Sequence, residues 1–70
     1  MSSVMRSVWI DVLADAMHLK RSVSILTHGS YKPYTGKVDD ILNNTMVVLK
    51  NEYSQEYILF SEIKAVRVYC

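Results

Sequence analysis

The chain has 70 residues, half of them hydrophobic, and eight basic residues nearly balance seven acidic ones for a net charge of +1. This length predicts one domain, and the near-neutral charge argues against a strong electrostatic attraction for nucleic acid in a single subunit. A local basic patch could still form in an oligomer. Cys70 is the single cysteine, and His18 and His28 lie in no ligand cluster, so neither a disulfide nor a metal or other cofactor is expected. A core this small contributes only about 3–5 kcal/mol, and we therefore expect self-association.

The sequence predicts neither a membrane-spanning segment nor a secretion signal. Its first apolar stretch is interrupted by Arg6, Asp11 and Asp15, which excludes both a bilayer-spanning helix and the apolar centre of a signal peptide. A lone free thiol is typical of a reducing compartment. These features together predict a cytoplasmic location.

The first part of the chain predicts an amphipathic helix over about residues 3–20. Apolar residues recur every four positions in two neighbouring rows, Val4–Val8–Val12 and Met5–Trp9–Leu13–Met17. Ser2 or Ser3 can cap the start of this helix, and the basic residues at 18–21 suit the negative end of the helix dipole. Ile10 falls outside both rows and has no predicted neighbour.

Five short strands with turn-type residues between them are predicted after the helix, at 22–28, 34–42, 46–50, 55–60 and 63–69. The run 46–50 is almost entirely apolar, which indicates a central strand buried on both sides. Gly36 lies inside the second strand and predicts a sharp bend or a close approach of another backbone. Strands this short cannot hide a core in a flat sheet. The predicted fold is therefore mostly β: the N-terminal helix, then a strongly bent, five-stranded antiparallel barrel over about 22–69.

The order of these elements and several short motifs resemble the Sm-like (Lsm) family, and within it the bacterial Hfq branch. The stretch "VSIL…HG" (23–29) is similar to the start of the first Sm signature, and "YTGKV" (34–38) to its hydrophobic–x–Gly–x–hydrophobic centre. "MVVLKN" followed by "SQ" resembles the third strand and the next turn of Hfq, and "EIKAV" resembles the last strand. The resemblance covers roughly residues 22–68.

Four features depart from the family pattern. Gly29 and Gly36 are farther apart than the two glycines usually are, because "SYKP" looks like a small insertion. The family's aspartate after the second strand is missing, and "LFS" (59–61) replaces the basic Tyr-Lys-His element of Hfq. The Arg-Gly pair of other Sm proteins is also absent.

The resemblance implies a homo-oligomeric ring of about five to seven subunits, in which the fourth strand of one subunit pairs with the fifth strand of the next. An open barrel leaves unpaired strand edges, and a closed ring satisfies all of them, so elementary physics favours the same arrangement. The resemblance also implies that the ring binds single-stranded RNA, with a role in RNA regulation or chaperoning. An alternative is a ring-forming scaffold or protein-interaction module that lacks RNA pockets, which the near-neutral charge and the missing basic elements favour.

Asn43 and Asn44, between the second and third strands, are the first candidate RNA-binding residues. Asparagine tolerates left-handed backbone angles, so the pair can be explained as a turn alone. In Sm-like rings the equivalent loop faces the pore and grips bases, and an asparagine amide can both donate to and accept from a base edge. One asparagine could shape the turn while the other binds.

Lys32, Gln55 and Tyr31 form the second candidate group. By resemblance they lie where Hfq presents its adenine-preferring face, so Gln55 could bond a purine edge, Lys32 a phosphate, and Tyr31 could stack on a base. The plain explanation is that the lysine and the glutamine are ordinary solvated residues. Tyr34 is expected in the core, because it occupies the hydrophobic position two residues before Gly36.

Catalysis has little support in the sequence, and we predict that the protein is not an enzyme. His28 has no nucleophile at motif spacing, and no phosphate-binding glycine motif is present. Asp39 and Asp40 are adjacent on a predicted strand and so are expected on opposite faces. The basic residues Lys64 and Arg67 are most simply explained as a solvated face.

Overall fold

The computed structural model describes residues 8–70, and the predicted helix start, with its capping serines and the residues Val4 and Met5, lies outside that range. The elements are α1 (Val8–His18), β1 (Ser22–Thr27), β2 (Tyr34–Leu42), β3 (Met46–Lys50), β4 (Gln55–Leu59), a 3₁₀ turn (Phe60–Glu62) and β5 (Ile63–Val68). One N-terminal helix followed by five antiparallel strands is therefore confirmed, with each predicted strand boundary correct to within one residue.

All five strands belong to one antiparallel sheet in the order β4-β3-β2-β1-β5. β3 is an internal strand between β2 and β4, and its consecutive residues Val47, Val48 and Leu49 are all buried, which confirms the predicted burial on both sides. β4 and β5 lie at the two edges and do not pair with each other, so the sheet is not closed. Closure of the predicted barrel is therefore not shown. Within residues 8–70, the structure contains no helix with the length and apolarity needed to cross a membrane.

The core lies between α1 and one face of the sheet. Its buried members are Leu13, Ala16, Val23, Ile25, Val38, Val47, Leu49, Ile58, Phe60 and Ile63. On the helix, Trp9, Met17 and Ile10 pack against these residues. The predicted Trp9–Leu13–Met17 row thus faces the core.

The described members of the other predicted row, Val8 and Val12, are exposed, which corrects the sequence interpretation. Val8 is 66% exposed and Val12 is 38% exposed, whereas Ile10, which had no predicted neighbour, packs against the core. At 3.6 residues per turn the core-facing arc is centred on Leu13 and extends from Ala16 on one side to Ile10 on the other, which leaves Val8 and Val12 outside.

α1 ends at His18, two residues before the predicted end, in a Schellman motif. The Arg21 N–H donates to the Ala16 carbonyl at 2.9 Å and the Lys20 N–H to the Met17 carbonyl at 3.2 Å. Lys20 has a φ of 56°, the left-handed conformation that this motif requires and that glycine usually provides. The reversal directs the chain from the helix into β1.

Gly36 makes the close backbone approach that its position inside a strand predicts. It pairs with Val23 on β1, and a Cβ atom built on it would lie 2.5 Å from the Lys50 carbonyl oxygen of β3. A β-bulge between Val38 and Asp40 bends β2 further. The bulge interrupts the alternation used to place Asp39 and Asp40 on opposite faces, and both aspartates are exposed.

Candidate nucleic-acid interface

Asn43 and Asn44 form the central pair of a tight hairpin turn between β2 and β3. Their φ angles are 51° and 55°, and the Thr45 N–H donates to the Leu42 carbonyl at 2.9 Å. Two successive residues with positive φ are typical of a type I′ turn, whose twist matches the flanking strands. The predicted turn is confirmed, and its use in binding stays a prediction.

The turn leaves the functional groups of both asparagines available. Both residues are exposed, and within residues 8–70 neither carboxamide makes a hydrogen bond. The turn is closed by the Thr45 N–H and Oγ1, which donate to the Leu42 carbonyl at 2.9 and 3.4 Å, and not by either asparagine amide. Each amide can present a donor and an acceptor to a nucleotide base.

Tyr31 and Lys32 lie in the loop between β1 and β2. Gly29 has a φ of 81°, the Ser30 Oγ donates to the Lys32 carbonyl at 3.0 Å, and the Ser30 N–H donates to the Thr27 carbonyl at 3.3 Å. These contacts shape the loop and leave Tyr31 94% exposed. An aromatic ring so exposed offers a face on which a base can stack.

Gln55 lies in a cross-strand row with two lysines. It pairs with Lys50 of β3, and Lys50 pairs with Lys37 of β2. Directly opposed residues of antiparallel strands project to the same face, so the three exposed side chains are neighbours there. The Gln55 Nε2 donates to the Tyr57 Oη at 2.8 Å, which leaves the amide oxygen as an acceptor. We call this set, Lys37, Lys50 and Gln55, the lysine row.

The lysine row places two positive charges directly opposite one another. Two like charges directly opposite one another on a sheet destabilise it, and an anion bound between them removes that cost. A phosphate group carries the required charge, and lysine ammonium groups bind phosphate as point charges. The row is therefore the strongest candidate anion site among the described residues.

The predicted site residues do not converge on one site. Gln55 and the asparagine turn lie at opposite ends of β3, and Lys32 precedes β2 at the end remote from that turn. The lysine row and the asparagine turn are thus separate candidate contacts on each subunit.

A second exposed feature involves Tyr31. An open groove of ≈ 450 Å³ is lined by Ser24, Leu26, Tyr31, Pro33, Ala65, Val66, Arg67 and Tyr69. Tyr31 and Tyr69 supply aromatic rings and Arg67 supplies a charge. Such a combination suits a stacked, planar group.

Sequence reasoning missed Lys37, Lys50 and Tyr69. The lysines are 13 positions apart, and only the β2–β3 register brings them together. The sequence did contain a signal for Tyr69, because alternate residues of a strand share a face and Tyr69 therefore lies on the same face as Ala65 and Arg67. Tyr34 was wrongly placed in the core: it is 36% exposed at the start of β2 and lines an open groove beside Glu56–Leu59.

Comparison with known proteins gave no assignment: no protein-family model matches the chain, and no curated protein matches it significantly.

Proposed function

We propose that the chain is an Sm-like protein that forms a closed homo-oligomeric ring and binds single-stranded RNA. A helix before five antiparallel strands, the two open edges at β4 and β5, and the motifs quoted above all support this proposal. In such a ring the edges of neighbouring subunits pair, and the continuous sheet completes each bent barrel.

The observation that carries RNA binding is the lysine row. Lys37 and Lys50 oppose each other on one face beside Gln55, an arrangement that is unfavourable alone and favourable with a phosphate between them. In a ring this row repeats once per subunit. A chain with a net charge of only +1 would thereby present several phosphate contacts to one RNA strand.

The asparagine turn and Tyr31 complete the proposed contacts. The unengaged amides of Asn43 and Asn44 would read base edges near the pore, and Tyr31 would stack a base. Lys32, beside Tyr31, would contact a phosphate. Each contact is weak in one subunit and adds to the others around the ring.

The first test is native mass spectrometry of the purified protein, with and without short oligo-U and oligo-A. The proposal predicts one closed oligomer that takes up RNA, and an affinity that falls as salt rises because phosphate contacts release counterions. A closed oligomer that binds neither RNA would refute the RNA function. A monomer would refute the ring.

The lysine row is tested by the double variant Lys37→Gln, Lys50→Gln. We expect RNA affinity to fall at least about tenfold at low salt, while thermal stability is unchanged or higher because the like-charge repulsion is removed. Lys20→Gln, which removes a charge at the end of α1, is the matched control and should bind RNA as the wild type does. Equal binding by the double variant and the control would exclude the row as a site.

The asparagine turn requires a substitution that keeps the turn. Alanine at positive φ is strained, whereas glycine adopts this conformation freely, so Asn43→Gly, Asn44→Gly removes the amides and preserves the type I′ geometry. We expect the glycine variant to form the ring and to lose RNA affinity. Comparison with the double alanine variant separates binding from stability.

A second candidate function, a protein-interaction scaffold, is favoured by the exposed face of α1. Val8, Val12 and Leu19 are all exposed, and Val12 and Leu19 border an open surface shared with Val68 of β5. Exposed apolar groups in this number at one place are typical of a protein contact. A stable ring with no affinity for RNA would favour this alternative.

A further inference from the structure

We propose that Glu56 of one copy and Arg67 of the next form an ion pair across the β4–β5 interface and fix the register in which the two strands join. This inference rests on the proposed edge-to-edge assembly and adds the alignment of the edges. It follows from the hydrogen-bonding directions of the two edge strands.

Backbone hydrogen bonds between β3 and β4 identify which residues of β4 direct their N–H and C=O groups away from the sheet. The Phe60 N–H donates to the Thr45 carbonyl and the Asn51 N–H donates to the Ser54 carbonyl, at 2.9 and 3.0 Å. The β3–β4 register between these bonds has no bulge, so hydrogen-bonded pairs alternate and include Val47–Ile58 and Leu49–Glu56. The backbone groups of Gln55, Tyr57 and Leu59 therefore point outward at this edge.

The same reasoning applies to β5. The Tyr69 N–H donates to the Ser22 carbonyl at 2.9 Å, and the register continues through Ser24–Arg67 and Leu26–Ala65. Arg67 and Ala65 thus bond to β1. The outward backbone groups in the regular part of β5 are those of Val66 and Val68, because the bulge beside Leu26 and Thr27 interrupts the alternation at Lys64.

The outward residues of the two edges can join in an antiparallel ladder. One register opposes Gln55 to Val68 and Tyr57 to Val66 of the next copy. Glu56 then lies directly opposite Arg67, and Ile58 opposite Ala65. Residues directly opposed across antiparallel strands project to the same face, so the carboxylate and the guanidinium meet.

Shifted registers lose the ion pair. Sliding one strand by two residues places Glu56 opposite Tyr69 or opposite Ala65, and neither side chain carries a positive charge. Pairing between two β4 strands or between two β5 strands brings together edges whose charges have the same sign. Opposite charges on the two edges therefore favour head-to-tail pairing in one register.

The exposed apolar groups at the two edges agree with this register. Tyr57 is 59% exposed and Leu59 is 42% exposed, and both would lie on the same face as Val66 and Val68 of the next copy, of which Val68 is 37% exposed. Glu56 is half-buried and Arg67 is exposed, and within residues 8–70 no hydrogen bond or ion pair engages either side chain. The assignment gives Arg67 a role in assembly, apart from RNA.

Charge reversal tests the pair. We expect Glu56→Arg and Arg67→Glu each to raise the dissociation constant of the oligomer about tenfold or more, and the double variant to restore assembly to within about threefold of the wild type. Native mass spectrometry and sedimentation at fixed protein concentration measure assembly, and circular dichroism verifies folding. Single variants that associate normally, or a double variant no better than the weaker single variant, would overturn the pairing.

Disulfide trapping tests the register independently. In a Cys70→Ser background, chains carrying Glu56→Cys are mixed with chains carrying Arg67→Cys and oxidised. In the proposed register Glu56 and Arg67 form a non-hydrogen-bonded pair of the antiparallel ladder. Their Cα atoms would therefore lie about 4.5 Å apart, which is within disulfide range. We expect a covalent heterodimer. The control mixture of Glu56→Cys with Ala65→Cys, whose Cα atoms would be about 7–8 Å apart, should not cross-link efficiently.

The outcomes separate this inference from the proposed function. A wild-type protein that is monomeric overturns both the pairing and the ring. If the wild type is an oligomer, but the charge-reversal variants also assemble normally and the cysteine variants form no disulfide, the pairing alone is overturned. RNA binding by that oligomer would be unaffected by either result.

Discussion

Gly36→Ala should destabilise the protein through a clash between β2 and β3. A Cβ atom at this position would lie 2.5 Å from the Lys50 carbonyl oxygen and 3.0 Å from the Lys50 carbonyl carbon, whereas ordinary contacts begin at 3.4 Å. The nearest atoms belong to a backbone, so a side-chain rotation cannot relieve the overlap. One strand must move by about 0.9 Å, the difference between 3.4 and 2.5 Å, or the pairing beside Lys37 must break.

The magnitude follows from two opposing effects. Overpacking costs about 1–3 kcal/mol, and a backbone obstacle belongs at the upper end, while replacing glycine removes about 0.4–1 kcal/mol of unfolded-state entropy. The net loss is about 2 kcal/mol, which lowers Tm by roughly 8–16 °C for a domain of this size. Because the expected stability of the domain is only about 3–5 kcal/mol, the loss is large.

Thermal unfolding followed by circular dichroism measures this effect, with protein concentration held fixed because association raises Tm. Gly29→Ala is the matched control. A Cβ atom at Gly29 meets nothing within 4 Å, but its φ of 81° strains an L-residue, so only about 1 kcal/mol should be lost. A Gly36→Ala variant as stable as the wild type, or less damaged than Gly29→Ala, would refute the reasoning.

Three further predictions concern local stability. Lys20→Gly should stabilise the protein by about 1 kcal/mol, because glycine adopts the left-handed conformation at the end of α1 without strain, and Lys20→Ala should give no gain in urea unfolding. Asn51→Ala should lower the free energy of unfolding by about 1–2 kcal/mol, because the Asn51 Nδ2 donates to the Thr35 carbonyl at 2.9 Å and its Oδ1 accepts from the Tyr53 and Ser54 N–H groups at 2.8 and 2.9 Å. Asn51→Asp keeps the acceptor and should therefore lower it less. Leu13→Ala should lower the free energy of unfolding by about 2–5 kcal/mol because Leu13 is 0% exposed, whereas Val12→Ala, at an exposed position, should change it by no more than about 0.5 kcal/mol. Equal losses would contradict the orientation of α1.

Local chemistry made most of the fold predictable. Apolar alternation, β-branched composition and turn residues between the runs located all five strands, because each signal depends on residues close in sequence. The Asn43–Asn44 turn was predictable for the same reason, since the preference of asparagine for positive φ is intrinsic to the residue. The rotation of α1 was harder, because two neighbouring apolar rows fit the same period and only packing selects between them.

The candidate site was predictable only in part. The exposed positions of Tyr31, Lys32 and Gln55 agree with the sequence interpretation, but the lysine row depends on residues from different strands. Tyr34 was wrongly predicted to be in the core because its spacing from Gly36 gives no information on whether other residues pack over the first residue of β2.

By itself, the sequence determined the number, type and boundaries of the strands, the glycine at the close β2–β3 approach, and the two-asparagine turn. Those properties arise from the conformational preferences of residues near one another in the chain. Only the tertiary structure decided the strand order β4-β3-β2-β1-β5, which leaves β4 and β5 at the edges, and the registers that bring Lys37 beside Lys50. Register is a cooperative property of paired strands: the bulges in β2 and β5 shift it, and a shift by one residue moves every side chain to the other face.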